Sequence, residues 1–242
     1  DVVQAGTLGS GYAMGRPASL AAQGIGPEER FGAAVSLDGL RLAIGASDDN
    51  GASSLKPLSG AVYLLSFAAL AFGAPVLEAV IGSGYGGGKN LSVAGLDASD
   101  FFGSAVSLRG TQLAVGASGD DGAANSAADA GAVYLFSFAD LAFGGAEQRS
   151  ILGQGYAGGS NLGVAGLAAG DAFGSSLSLD QQLGRFRLAV GAPNDDGQID
   201  DRADIGAIYV FSFVDDLFNA PAVAVRIGRY STGLDVDISG GD

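Results

Sequence analysis

The chain has 242 residues, 42 of them Gly, a net charge of −14, and neither Cys nor His. Its positive mean hydropathy separates it from disordered segments, and its glycines lack the three-residue period of collagen. The missing Cys and His exclude thiol catalysis, disulfides, Ser-His-Asp triads and the usual zinc sites, and unclustered Arg with only Lys56 and Lys89 disfavours nucleic acid and anionic membrane surfaces as partners. Divalent cations are the partners this balance permits.

In chain order, residues 1–30 read as one strand, VVQAGTLG, followed by a Gly-rich connector. At Phe31-Gly32 a unit begins that recurs at Phe102-Gly103 and Phe173-Gly174, 71 residues apart at each step. Within it follow LAIGAS (42–47), LAVGAS (113–118) and LAVGAP (188–193), then GAVYLLSF (60–67), GAVYLFSF (131–138) and GAIYVFSF (206–213). The expected organisation is a partial repeat at 1–30 and repeats at 31–101, 102–172 and 173–242, the last ending in the start of a fourth copy, RIGRYSTGLDV. A chain entered and left in mid-repeat, beginning with Asp and without a signal peptide, reads as a mature product or a piece of something larger.

Each copy is expected to hold four short strands, AVSL, RLAIG, GAVYLLSF and VLEAVIG in the first, rich in Val, Ile, Leu, Phe and Tyr and punctuated by Gly, Asp, Asn and Ser. The near-continuous apolar run of the third suits a strand covered on both faces. Residues 57–77 carry no charge over about the length of a membrane helix, but Gly60, Gly73 and Pro75 interrupt them, and the later copies place Asp140, Asp215 and Asp216 there; buried strands are the expectation, with no membrane insertion. FAALAFG and its equivalents are long enough for no more than a helical turn. The fold class is therefore all-β, built from tandem four-stranded repeats.

Phe-Gly at the first strand, Gly-Ala-Pro or Gly-Ala-Ser after the second, and Gly-Ala-Val-Tyr opening the third resemble the FG-GAP family, the blade repeat of integrin-type β-propellers, especially its bacterial variety. The resemblance implies propeller-like blades, extracellular interaction roles and, often, calcium in the loops. Only Gly191-Ala192-Pro193 has the full Gly-Ala-Pro. The loop that commonly carries integrin calcium is reduced here to LDGLR, LRGTQ and LDQQLGR, so no site transfers to it. Propellers usually need at least four blades, so a threefold β-prism-like closure or a stacked array stands as the alternative.

A second set of acidic loops is independent of that transfer. SDDNG (47–51), SGDDG (118–122) and PNDDG (193–197) align Asp49 with Asp120 and Asp195, and Asn50 with Asp121 and Asp196. Asp129 and Asp204 follow in copies two and three, where copy one has Leu58; Asp200 and Asp201 add to copy three. Calcium takes six to eight oxygens from such side chains and from backbone, and Gly lets the loop close tightly, so Asp49, Asn50, Asp120, Asp121, Asp129, Asp195, Asp196 and Asp204 form the candidate metal set. Asp, Asn and Gly also serve any exposed turn, because they tolerate positive φ and bond their own backbone.

Other motifs carry less. GSGYGG (82–87) and GQGYAG (153–158) fit G-x-G-x-x-G but lie in a β repeat without the helix a dinucleotide site requires, so tight turns with Tyr85 and Tyr156 packed beside them are expected. SSLK (53–56) is a chance match, and Asn90-Leu91-Ser92 is a glycosylation sequon only in a suitable host. Asp100 and Asp171, equivalent positions before the Phe-Gly, read as turn caps; Asp97, Glu28 and Glu29 are scattered carboxylates nearby. The function expected is that of a noncatalytic extracellular module of a bacterial surface adhesin or filament, with calcium as cofactor. Its expected partners are other copies or neighbouring repeats, and a surface protein or glycan. The alternatives are a carbohydrate-binding propeller using Tyr63, Tyr134, Tyr209, Tyr85 or Tyr156 as platforms and, below that, a calcium-dependent hydrolase using two carboxylates.

Overall fold

The computed structural model describes residues 8–9, 25–70, 72, 75–182, 184–197, 204–228 and 236–237. Most of the N-terminal strand and its connector, Asp200 and Asp201, and most of the fourth-copy segment lie outside the described residues. Three five-stranded sheets follow one another along the chain. The first contains β1 (Phe31–Asp38), β2 (Arg41–Ala46), β3 (Ala61–Ser66), β4 (Val76–Gly82) and β5 (Leu91–Ser92). The second contains β6 (Phe102–Arg109), β7 (Gln112–Ala117), β8 (Ala132–Ser137), β9 (Glu147–Gly153) and β10 (Leu162–Gly163). The third contains β11 (Ser176–Gln182), β12 (Arg185–Ala192), β13 (Ala207–Ser212), β14 (Ala222–Gly228) and β15 (Val236–Asp237).

In every sheet the first four strands form an antiparallel meander and the fifth, of two residues, pairs parallel to the fourth. That fifth strand is an addition to the four expected. Its two residues carry too little pattern to stand out, and it forms because the Gly-rich connector turns back along β4 and β9, where Val93 and Val164 donate to the carbonyls of Gly82 and Gly153. The FADLAFG segment, with Phe143 at φ +61, makes turns rather than a helix. No helix among the described residues is long and apolar enough to cross a membrane.

The continuous apolar strands β3 and β8 are buried on both faces, as their composition suits, whereas β13 is buried on one. Val62 and Leu64 of β3 enter the core shared with the second sheet, whereas Tyr63 and Leu65 enter the cluster on the opposite face. Likewise Val133 and Leu135 of β8 face the third sheet while Tyr134 and Phe136 face the first. Sheets are thus stacked face to face, with β6 packed against β1 and β2, and β11 against β6 and β7.

The Phe-Gly signature forms the junction. Phe102 and Phe173 are fully buried and meet the tyrosines of their own sheets edge to face, at 5.5 Å from Tyr134 and 5.4 Å from Tyr209. Their N–H groups reach back to the preceding repeat, donating at 3.0 Å to the carbonyls of Ser59 and Ala130. The following glycines, Gly103 and Gly174, have φ near +90°, and a Cβ on either would lie about 2.5 Å from the carbonyl oxygen of Ala61 or Ala132. Across the same junction a Cβ on Gly45 would overlap the carbonyl of Gly103, and one on Gly116 that of Gly174. The glycine of Phe-Gly and the glycine of Gly-Ala-Ser therefore touch, backbone to backbone, between neighbouring sheets, a spacing no other residue allows.

Hydroxyls complete the contact. Ser36 Oγ accepts the N–H of Leu108, and Ser107 Oγ that of Leu179, each at 2.9 Å. Asp38 additionally accepts the Gly110 N–H at 2.9 Å while bonding Arg41, whose guanidinium lies 5.6 Å from the Phe143 ring. The sheets form an open array rather than a closed threefold prism: Val35 and Leu37 on β1 and Ile208 on β13 remain exposed at its two ends.

Candidate functional site

The acidic loops that link β2 to β3, β7 to β8 and β12 to β13 place their residues in three repeated roles. Asp49, Asp120 and Asp195 are buried, at 1–2% exposure. Asp120 accepts hydrogen bonds from the hydroxyls of Tyr134 (2.7 Å) and Tyr156 (2.9 Å) and from the Gly122 N–H (2.8 Å). Asp49 has the same three kinds of partner in Tyr63 (3.0 Å), Tyr85 (2.8 Å) and the Gly51 N–H (2.7 Å). Asp195 accepts from Tyr209 (2.6 Å) and Gly197 (2.8 Å). Its second tyrosine by alignment, Tyr230, lies outside the described residues.

Burial pushes the Asp120 carboxyl above its ordinary range against the opposing effect of the tyrosine hydrogen bonds. It also pushes the hydroxyls of Tyr63, Tyr85, Tyr134 and Tyr156 upward, and the neighbouring carboxylate adds to that rise. Each hydroxyl therefore remains a donor at any physiological pH. The carboxylate, two phenols and one amide form a closed knot that ties the loop to the third strand and to the turn after the fourth.

Asn50, Asp121 and Asp196 close the neck of the same loop. Their Oδ1 atoms accept the backbone N–H eight residues on, from Leu58 (3.0 Å), Asp129 (2.8 Å) and Asp204 (2.6 Å). Leu58, Asp129 and Asp204 all take φ between +53° and +58°, which Asp tolerates better than most residues. Asp129 and Asp204 thus serve the clamp through their backbone, not their carboxylates.

In this arrangement the innermost carboxylate of the first two copies receives three donors and the next side-chain oxygen clamps the chain. Among the described residues no group of three or more His, Cys, Asp or Glu side chains is placed to hold a metal ion. The tyrosines that could have been sugar platforms are not available as such: Tyr63, Tyr134 and Tyr209 are at most 1% exposed, and Tyr85 and Tyr156 are half-buried with hydroxyls held by aspartates. The sequence signal that could have found the knot is a Tyr 14 residues after each of the three aspartates, with a second Tyr 36 residues after Asp49 and Asp120.

The remaining singled-out residues also have structural duties. Asp100 Oδ2 accepts the Asp97 N–H (2.6 Å), Asp171 the Ala168 N–H (2.8 Å), and Glu29 the Gly26 N–H (2.6 Å), so all three cap one equivalent turn. Desolvation raises the Asp100 carboxyl to about 7, with Asp120, Asp97 and Asp121 adding to the rise. Asn90 of the sequon accepts the Val80 N–H at 2.8 Å, as Asn161 accepts that of Ile151. Lys56 of SSLK pairs with Asp97 and the Leu96 carbonyl across a sheet junction.

The model of the FG-GAP repeat matches residues 88–136 and 165–211, each run reaching from a Gly-rich connector through the Phe-Gly and acidic loop into the third strand. No curated protein matches the chain.

Proposed function

This chain carries repeats of the FG-GAP family, and from that premise we propose that it is a noncatalytic extracellular module of a bacterial surface protein, acting in adhesion or assembly. The observation that carries the reading is the uniform use of its chemistry-bearing side chains. In every described copy the buried loop aspartate holds the third-strand tyrosine, and the next residue clamps the backbone eight residues on, so none of these residues departs from the repeat to form a reacting pair. What varies is presented at loop tips and at the two ends of the array, where a stacked repeat protein meets its partners. The reading does not depend on calcium: the loop carboxylates act as hydrogen-bond acceptors that hold the loops in place.

The test is labelling of intact cells of the producing organism, and of their culture fluid, with an antibody raised against the folded chain. The expected result is label on unpermeabilised cells or in the fluid. Label that appears only after permeabilisation would refute the extracellular role.

A further inference from the structure

We propose that the exposed face of the third sheet is a seat for the β1 strand of a second copy of this chain, so that copies join head to tail. The inference rests on the assembly reading above. It comes from comparing three equivalent faces, two of which are occupied within the chain.

On the first two sheets, Val62 and Val133, Ile81 and Leu152, and Ser59 and Ala130 are fully buried, because the following repeat lies over them. Their equivalents on the third sheet are open: Ile208 is 45% exposed, Ile205 39%, and Ile227 half-buried. A groove of about 530 Å³ runs here between Ser176, Gly191, Pro193, Gly206, Ile208 and Ile227. A Cβ on Gly60 or Gly131 would overlap the carbonyl of the next repeat's Phe102 or Phe173, whereas one on Gly206 would meet Pro193 and Ala192 of its own sheet. Among the described residues, nothing from another repeat fills the place that Phe102 and Phe173 fill elsewhere.

The matching plug is at the other end. Gly32 of the first Phe-Gly has φ +96, like Gly103 and Gly174, yet nothing lies within 4 Å of where its Cβ would be. Val35 and Leu37 are 64% and 56% exposed, whereas Val106 and Leu108, buried against the preceding sheet, are 7% and 5%. Leu8 and Ile25 rest on the Tyr63 side of the first sheet and leave both residues uncovered. The serine series also continues: Ser36 accepts from Leu108 and Ser107 from Leu179, and exposed Ser178 is placed to accept from Leu37 of another copy. Seat and plug are the two halves of a junction already formed twice within the chain. A contact of this kind is heterologous, so copies add in one direction, into a ring if the rotation per copy closes and into a filament if it does not.

Two substitutions at exposed positions separate the halves without disturbing the core: Ile208→Arg blocks the seat and Val35→Arg blocks the plug. Sedimentation of the full chain at increasing concentration, in 0.15 M salt to screen its negative charge, should show wild type growing into oligomers and each variant remaining monomeric. Mixed in equal amounts, the two variants retain one intact seat and one intact plug between them, and should form a 1:1 dimer that stops there. Wild type that remains monomeric to millimolar concentration, or association that persists in both variants, overturns the proposal. The cell-labelling result is independent of these outcomes, so failure of the docking seat is distinguishable from failure of the surface role.

Discussion

Asp120→Ala isolates the knot in the central sheet. Asp120 is 2% exposed and receives two phenols and one amide, all within 2.9 Å. Hydrogen bonds to a charged acceptor contribute about 1.5–3 kcal/mol each, and a buried donor left alone costs about 1–3 kcal/mol. Tyr134 is 1% exposed and would have no water to turn to, whereas half-buried Tyr156 would recover part of its loss from solvent. Removing a carboxyl whose proton affinity burial has raised returns some desolvation energy. The net loss should be about 3 kcal/mol, which for a chain of this size lowers the melting temperature by about 6–12 °C. Adding Tyr134→Phe and Tyr156→Phe removes the orphaned donors with their acceptor, so the triple variant should recover about half of that loss. The assay is thermal unfolding followed by circular dichroism, in millimolar calcium and again in chelator. Wild type should melt alike in both, and the Asp120→Ala deficit should be the same in both. A deficit present only with calcium would refute the reasoning and return Asp120 to the role of metal ligand.

The remaining predictions concern the turn cap and the junctions. Asp100 has a folded-state pKa of about 7, raised above its unfolded value near 4. The folded state therefore holds the proton more tightly between these values, and the stability it contributes at low pH is lost as pH rises through that window. Asp100→Asn keeps an acceptor for the Asp97 N–H without the charge; it should gain about 2 kcal/mol at pH 8, after allowance for solvent screening, and almost nothing at pH 4.5. An equal gain at both pH values would sink the assignment. Gly131→Ala, whose Cβ would strike the Phe173 carbonyl, should lower stability by several kcal/mol, whereas Gly206→Ala should cost only the left-handed backbone penalty of about 1–2 kcal/mol. Equal urea midpoints for the two would show that the junction is looser than drawn. Ser107→Ala deprives the Leu179 N–H of its acceptor and should cost about 1–2 kcal/mol, with faster amide exchange at Leu179 as the local readout; unchanged exchange would refute that bond.

Much of this molecule was legible before its structure. The 71-residue recurrence, the β-branched and aromatic strands and the doubly apolar GAVYLLSF run specified an all-β repeat, because strand burial is written in short-range pattern. The caps at Asp100 and Asp171 were legible for the same reason, since each acts three residues away. The role of Asp49, Asp120 and Asp195 was not. An Asp-Asn-Gly turn has the same composition whether its carboxylate faces water, a metal ion or a phenol, and the deciding partners lie 14 and 36 residues away, on another strand and a further turn. The meaning of the signature glycines was equally hidden: a sequence shows that Gly45 and Gly103 recur, but only packing two sheets together shows that each leaves room for the other. Local periodicity determined which segments became strands. Contacts between segments far apart in the chain decided that the acidic loops tie tyrosines down and that, among the described residues, Ile205 and Ile208 on the third sheet are left exposed.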